Sequence, residues 1–181
     1  MNFTSTKLKG AYIIDPASIK DDRGMFMRTY CKKEFSSIGF NGEWVQMNHS
    51  VSFKKGTIRG MHFQKYPFGE VKLVKCIKGS ILDVIVDMRK DSSTYLKWIG
   101  HELTAENKRM LFIPEGFAHG FQALSDDTEL IYHHSNFFNI EAEAGLLYND
   151  PMLAIEWPLE LTSISKRDLS HSLINKDFKG V

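Results

Sequence analysis

The alternation of apolar and polar side chains is clearest from Ser80 to Asp87. Its two faces carry Leu82, Val84 and Val86 on one side and Asp83, Ile85 and Asp87 on the other. A period of two residues is typical of a β-strand. The apolar segment Lys72–Ile77 comes just before it, and the intervening Lys78-Gly79 predicts a hairpin turn between two strands.

Other segments predict further short strands and few helices. Met110–Ile113 has the pattern of a buried strand that stops at Pro114, and Glu129–His134 alternates again. Helical patterns are short: two turns over Lys32–Ile38, ending at Gly39, and one turn at Glu141–Ala144. Many short strands separated by turns predict an all-β sandwich or barrel, since a parallel fold would need long helices.

Composition narrows the functional classes. The chain has 181 residues, 43% of them hydrophobic, and a formal net charge of +1, which predicts one folded domain spanning residues 1–181. No basic stripe indicates nucleic acid as a partner, and no apolar stretch approaches a signal peptide or a membrane span. The two cysteines, Cys31 and Cys76, are expected to be free thiols in a reducing cytoplasm.

A first candidate site lies in the segment from Arg59 to Gln64. Gly60 permits a close backbone approach, and His62 lies three residues after the cationic Arg59. An imidazole is the natural proton-transfer group near neutral pH, although a single histidine is more often an ordinary core or surface residue.

A second candidate site lies between Pro114 and Phe121. Its Pro-x-Gly-x-x-His spacing, which ends at His119, resembles the second motif of the cupins, which are double-stranded β-helix barrels of the jelly-roll type. The resemblance predicts an all-β jelly-roll barrel with a few short helices. Where the first cupin motif supplies His-x-His to a metal, this chain has His62-Phe63-Gln64. An amide oxygen is a poor ligand for such metals, so no metal site is predicted, although Glu70 would still be available.

The run from Gln46 to Pro158 resembles the dTDP-4-dehydrorhamnose 3,5-epimerase family, a metal-independent branch of the cupins. The matching pieces keep their order and spacing over about 140 residues. They are Asp22-Arg23-Gly24 with Phe26, Gln46-x-Asn48-x-Ser50, Arg59 to Gln64, Lys72-Leu73-Val74, Gly79 with Asp83-Val84 and Val86-Asp87, Thr104 to Asn107, Ile113 to Phe121, Tyr132, Asn149-Asp150-Pro151 and Ile155-x-Trp157-Pro158.

The resemblance implies inversion of carbon 3, carbon 5 or both in a nucleotide-linked 4-keto-6-deoxy sugar through an enolate, without a cofactor. Such sugars are precursors of cell-surface polysaccharides. By resemblance His62 is the base with Asp168 as its partner, Tyr132 reprotonates the opposite face, and Lys72 stabilises the enolate oxygen. The resemblance also implies a homodimer with exchanged N-terminal strands. The implied substrate-binding residues are Arg59 and His119 at the diphosphate, Arg23 from a partner subunit, and Phe26, Arg28, Gln46, Asn48, Ser50, Gln64 and Phe138.

Two positions depart from the family pattern. Arg28 stands where the family usually has a glutamate that contacts thymine, and a guanidinium cannot accept the imide hydrogen. It suits a base rich in acceptors, so the sequence predicts a different nucleotide, with GDP first, on a 6-deoxy-hexose or 6-deoxy-heptose. Phe137-Phe138 replaces a tyrosine pair, which keeps the stacking surface and loses two hydroxyls.

Three alternatives stay open at this point. A 3,4-ketoisomerase of the same fold would move the carbonyl instead of inverting a carbon, and Lys72 and Tyr132 favour the epimerase over it. A metal-dependent cupin enzyme and a non-catalytic sugar-binding cupin are the other two.

Overall fold

Short strands account for most of the ordered secondary structure, as their alternating patterns predict. The computed structural model describes residues 1–181. The strands are β1 (Asn2–Ser5), β2 (Tyr12–Asp15), β3 (Ser18–Asp21), β4 (Gly24–Met27), β5 (Gln46–Ser52), β6 (Ile58–Gln64), β7 (Lys72–Lys78), β8 (Ser80–Asp87), β9 (Trp98–Thr104), β10 (Met110–Ile113), β11 (Phe117–Ala123), β12 (Thr128–His134) and β13 (Glu143–Gly145). The helices are α1 (Lys32–Phe35), a 3₁₀ turn (Ser36–Ile38) and α2 (Lys166–Leu169).

Two antiparallel sheets form the body of the fold. One has six strands in the order β1-β2-β10-β7-β12-β5, and the other has five in the order β13-β6-β11-β8-β9. The predicted all-β jelly-roll class is confirmed. The strands β3 and β4 pair only with each other, as a separate hairpin.

Alternation along the strands explains where the cores lie. Thirteen buried residues form the cluster between the sheets, with Val74 and Leu130 from one sheet and Ile85 and Phe121 from the other. Val84 and Val86 point to the opposite face of β8 and belong to a second cluster of ten buried residues. Successive side chains of β8 therefore bury apolar surface on both faces of the sheet.

Two local predictions are wrong. Lys78-Gly79 is not a hairpin turn, because β7 pairs with β10 and β12 while β8 pairs with β11 and β9. The turn instead carries the chain from one sheet to the other. Glu141–Ala144 is not helical, because Glu143 begins the edge strand β13, which pairs with β6.

Other predictions hold at residue level. The strands β8 and β10 have the predicted bounds, and the helical segment from Lys32 ends at Gly39, whose φ is +87°. Cys31 and Cys76 are both unpaired. None of the helices has the length and apolar character needed to span a bilayer.

Candidate active site

A cavity of about 610 Å³ opens between the two sheets and is lined by residues of β5, β6, β7, β11 and β12 and by the C-terminal segment. All four predicted catalytic residues line it: His62, Lys72, Tyr132 and Asp168. Five predicted binding residues do so as well: Asn48, Ser50, Arg59, His119 and Phe138. Residues that are far apart in the chain are thus brought to one pocket.

The imidazole of His62 is paired with a carboxylate. His62 Nε2 lies 2.9 Å from Asp168 Oδ1, and the side chain of Asp168 is only 3% exposed. Burial alone would raise the pKa of Asp168, but the hydrogen bonds from His62 and from the Gly60 amide hold it well below its ordinary range. His62 Nε2 lies between this ionised carboxylate, which favours a proton on it, and the Arg167 Nη2 at 2.9 Å, which can only donate.

Backbone geometry sets up this pair. Gly60 has φ +119°, and a Cβ there would lie 2.5 Å from the Cα of Gly120 on β11, so only glycine fits the close approach of the two strands. The Gly60 amide donates to Asp168 Oδ2 at 3.1 Å. At the other end, Ser165 caps α2 by accepting from the Asp168 amide at 3.0 Å, which fixes the turn that carries the carboxylate.

The Arg167 side chain lies beside the pair of His62 and Asp168. The Arg167 guanidinium has Nη2 2.9 Å from His62 Nε2, Nε 3.2 Å from Asp168 Oδ1 and Nη1 2.8 Å from Glu143. His62, Asp168 and His171 offer three ligand atoms within 4.8 Å of one another, the geometry of a possible metal site. A guanidinium this close disfavours a bound cation by charge repulsion, so the residues fit a proton-transfer site better.

Tyr132, the predicted proton donor, is a buried phenol that lines the cavity. Burial raises its pKa well above the ordinary value, and its hydroxyl shares a 3.0 Å hydrogen bond with Ser50 Oγ. A phenol with a raised pKa keeps its proton until a strongly basic carbon faces it. Tyr132 on β12 and His62 on β6 come from different sheets, so they line the cavity from two sides.

His119 also belongs to a histidine–aspartate pair. Its Nε2 lies 2.6 Å from Asp83 Oδ1, and both side chains are buried. In the pairing of β6 and β11, His119 lies opposite His62. The predicted diphosphate contact at His119 therefore depends on a ring already bonded to a carboxylate.

Some predicted binding residues lie elsewhere. Gln64 is buried, and its amide is used by three backbone groups: it donates to the carbonyls of Phe68 and Phe137 and accepts from the Asn139 amide. Gln46 accepts from the Phe138 amide and donates to Asn48. Both side chains are bonded to protein groups, and neither lines the cavity.

The N-terminal hairpin of β3 and β4 contributes no residue to the lining of the cavity. Arg23 is paired only with Asp21, and its side chain is 90% exposed. Phe26 is 71% exposed. Arg28, the residue behind the predicted GDP preference, donates to Glu34 at 3.0 Å and does not line the cavity.

Sequence reasoning named Glu70 only as a possible metal ligand and missed the site roles of His134, Arg167 and Glu143. Glu70 and His134 form a 2.6 Å contact in the cavity, and Arg167 and Glu143 line it as well. His134 alternates with Tyr132 along β12, so it shares the face of a predicted site residue, and that pattern was the only available signal.

Comparisons with known proteins agree with this geometry. The family described as dTDP-4-dehydrorhamnose 3,5-epimerase matches residues 5–176. A Shigella flexneri protein of that name is 44% identical over 171 residues, covering 94% of each chain. One from Methanothermobacter thermautotrophicus is 45% identical over 170 residues, covering 92% of this chain and 90% of the relative.

A solved structure has the same fold. The dTDP-4-dehydrorhamnose 3,5-epimerase of Bacillus anthracis, crystallised with TDP and PPi bound, superposes with a TM-score of 0.91 at 41% identity, covering 96% of this chain and 99% of that one. Sequence, fold and cavity thus agree, and the chain belongs to the dTDP-4-dehydrorhamnose 3,5-epimerase family.

Proposed function

We propose that this enzyme inverts carbons 3 and 5 of a dTDP-linked 4-keto-6-deoxy sugar in the synthesis of a polysaccharide precursor. The observation that carries the proposal is the convergence of His62 with its carboxylate, Lys72 and the protonated Tyr132 on one cavity. Relatives of that name, matched over nearly the whole chain, support the same reaction and nucleotide.

The chemistry follows from the ketone at carbon 4, which acidifies the hydrogens on the neighbouring carbons. The His62 imidazole takes the proton, and the negative charge of Asp168 stabilises the imidazolium that forms. The electron pair moves into the enolate, whose oxygen faces the Lys72 ammonium. Tyr132 then delivers a proton to the opposite face of the same carbon, and solvent restores the protonation of both residues.

Exchange of substrate hydrogen tests the reaction. The protein is incubated in deuterated water with a dTDP-linked 4-keto-6-deoxy sugar, and the sugar protons are followed by NMR. Deuterium is expected at carbons 3 and 5 with inversion, and Tyr132→Phe is expected to keep exchange while losing inversion. Binding of the substrate without any exchange would contradict the epimerase and favour a sugar-binding cupin.

The nucleotide is tested in the same experiment. The GDP preference drawn from the sequence is untested and rests on Arg28, whose guanidinium is engaged by Glu34, so the proposal follows the relatives named for dTDP instead. A GDP-linked donor run in parallel is expected to exchange more slowly than the dTDP-linked one. Faster exchange with GDP would restore the preference drawn from Arg28.

We propose further that the enzyme is a homodimer with shared sites. The hairpin of β3 and β4 supports this, because it exposes Ile19 and Phe26 at 70% and 71% and carries Arg23 away from its own cavity. A location in the reducing cytoplasm, supported by the two unpaired cysteines, is part of the proposal.

Mixing two inactive variants tests the sharing of sites. If Arg23 acts in the partner's cavity, an equal mixture of refolded Arg23→Ala and His62→Asn subunits regains roughly a quarter of wild-type activity, since half of the dimers carry one intact site. If each subunit uses its own Arg23, the mixture stays inactive. A stable, active monomer in light scattering would also contradict the dimer.

A further inference from the structure

A line of hydrogen bonds runs along one wall of the cavity and starts at a group whose direction is fixed. The backbone amide of Phe138 can only donate, and it donates to Gln46 Oε1 at 3.1 Å. The other end of that side chain is therefore its NH₂ group, which donates to Asn48 Oδ1 at 3.1 Å. Hence Asn48 presents its own NH₂ group to His134 Nε2 at 3.3 Å.

This order determines the protonation of His134. An amide nitrogen has no lone pair to accept a hydrogen bond, so His134 Nε2 must carry the lone pair. The ring then holds its proton on Nδ1, which lies 2.6 Å from Glu70 Oε2. The Asn48 contact and the Glu70 contact are both satisfied only by the neutral ring in this tautomer.

Glu70 joins the line to Lys72. Its second oxygen, Oε1, lies 3.2 Å from Lys72 Nζ. Burial alone would raise the pKa of Glu70, but the hydrogen bond from His134 and the positive charge of Lys72 lower it, so the carboxylate is ionised. It accepts from His134 on one side and from Lys72 on the other.

The inner end of this line is buried beside the reacting groups. The side chains of Glu70, Lys72 and His134 are each 10% exposed, and all three line the cavity. The rings of His134 and Tyr132 lie 6.2 Å apart between centroids. An ammonium on a flexible four-carbon chain has many orientations, and a fixed carboxylate on one side restricts them.

We propose that Glu70 and His134 are positioning residues for Lys72, with His134 held as a neutral imidazole protonated on Nδ1. The proposal rests on the proposed function in one respect, namely that Lys72 faces the enolate oxygen. Glu70 binds one N–H of the ammonium and leaves the other two directed to the cavity. The loop that carries Phe138 is linked to Lys72 through the same line of bonds.

The tautomer is tested in the wild-type protein without any turnover. Histidine labelled with ¹⁵N is incorporated, and the His134 signals are assigned by their loss in His134→Gln. The nitrogen shifts are expected to show a protonated Nδ1 and an unprotonated Nε2 at neutral pH. A proton on Nε2, alone or together with one on Nδ1, would overturn the assignment whether or not the enzyme is an epimerase.

The positioning role is tested by kinetics. Glu70→Gln keeps the size but cannot accept from both neighbours, so kcat is expected to fall about 10- to 100-fold with KM within about twofold of wild type. His134→Asn, which can still donate to Glu70, is expected to retain more activity than His134→Leu. The exposed Glu43→Gln is the matched control and should match wild type.

The outcomes separate the two proposals. The positioning role is refuted if Glu70→Gln and His134→Leu keep the wild-type kcat, or if KM rises without a fall in kcat. In that case, exchange of substrate hydrogen by the wild type would still support the epimerase. Thermal melting of each variant checks that its kcat is measured on folded protein. If the wild type itself exchanges no substrate hydrogen, the proposed function fails, and the NMR result still decides the state of His134.

Discussion

Two histidine–aspartate pairs lie next to each other in the five-stranded sheet, and they differ in exposure and in the source of the carboxylate. His62 is 24% exposed and its partner Asp168 comes from α2, whereas His119 is 6% exposed and its partner Asp83 lies on the neighbouring strand β8. The two histidines are opposite each other in the strand pairing. The same two side-chain types thus occur in two different environments within one cavity.

The difference shows that a histidine–carboxylate contact does not by itself make a base. A base needs a free nitrogen that faces the substrate and room for the ring to gain charge. The partly exposed His62 has room for its ring to gain charge, so it is the proposed base. The buried pair of His119 and Asp83 is better suited to hold a fixed ring against the substrate, with Asp83 as a structural anchor between β8 and β11.

The largest contrast is expected from replacing each histidine. His62→Asn removes the base, so kcat should fall about 10²- to 10⁴-fold and deuterium exchange should be lost. His119→Asn should mainly raise KM, because the ring is proposed to hold the diphosphate. Initial rates over a range of substrate concentrations separate the two. An equal loss of kcat in both variants would show that the buried pair also takes part in proton transfer.

A smaller contrast is expected from the carboxylates. Asp168→Asn leaves His62 in place without a charge to stabilise its imidazolium, so kcat should fall about 10- to 100-fold. Asp83→Asn weakens a buried hydrogen bond to a charged group, so the free energy of unfolding in urea should fall by about 1–3 kcal/mol. The kcat of its folded fraction should stay within a few-fold of wild type. The comparison fails if Asp83→Asn is stable and inactive.

Particular residues show which parts of the fold can be predicted from the sequence. Alternation predicts β8 to the residue, and a short apolar run that stops at Pro114 predicts β10, because both patterns are local properties of the sequence. Lys78-Gly79 has the local chemistry of a hairpin, but strand pairing is decided by distant segments, so the prediction of which strands pair was wrong. Glu141–Ala144 fails in the same way, since its partner is β6.

The candidate site shows the same division. The resemblance predicts the four catalytic residues because their positions match a long ordered pattern, and the fold brings all four to one cavity. Glu70 was considered only as a metal ligand and His134 matches no motif, and the two meet across 64 residues of chain. Only the pairing of β7 with β12 brings them together, and one sequence does not encode that pairing in any local signal.

The smallest expected effect concerns stability in acid. The pKa of Asp168 is lower in the folded protein than in the unfolded chain, where it is about 3.9. Its stabilisation is therefore complete above that value and is lost as the pH falls toward the folded pKa. Melting temperatures from pH 7 to pH 2.5 should show the gap between wild type and Asp168→Asn narrowing below about pH 4. A constant gap would mean that the His62 pair contributes nothing to the acid response, and Glu43→Gln serves as the exposed control.

The origin of Asp168 in the C-terminal segment has a consequence for the order of events during synthesis. His62 and Asp168 are 106 residues apart, and every strand from β7 to β13 lies between them. A ribosome adding about 5–20 residues per second makes the base roughly 5–20 s before its carboxylate. A nascent chain can therefore complete both sheets while its proposed base still lacks the carboxylate, and its activity is expected to rise only when α2 joins the fold.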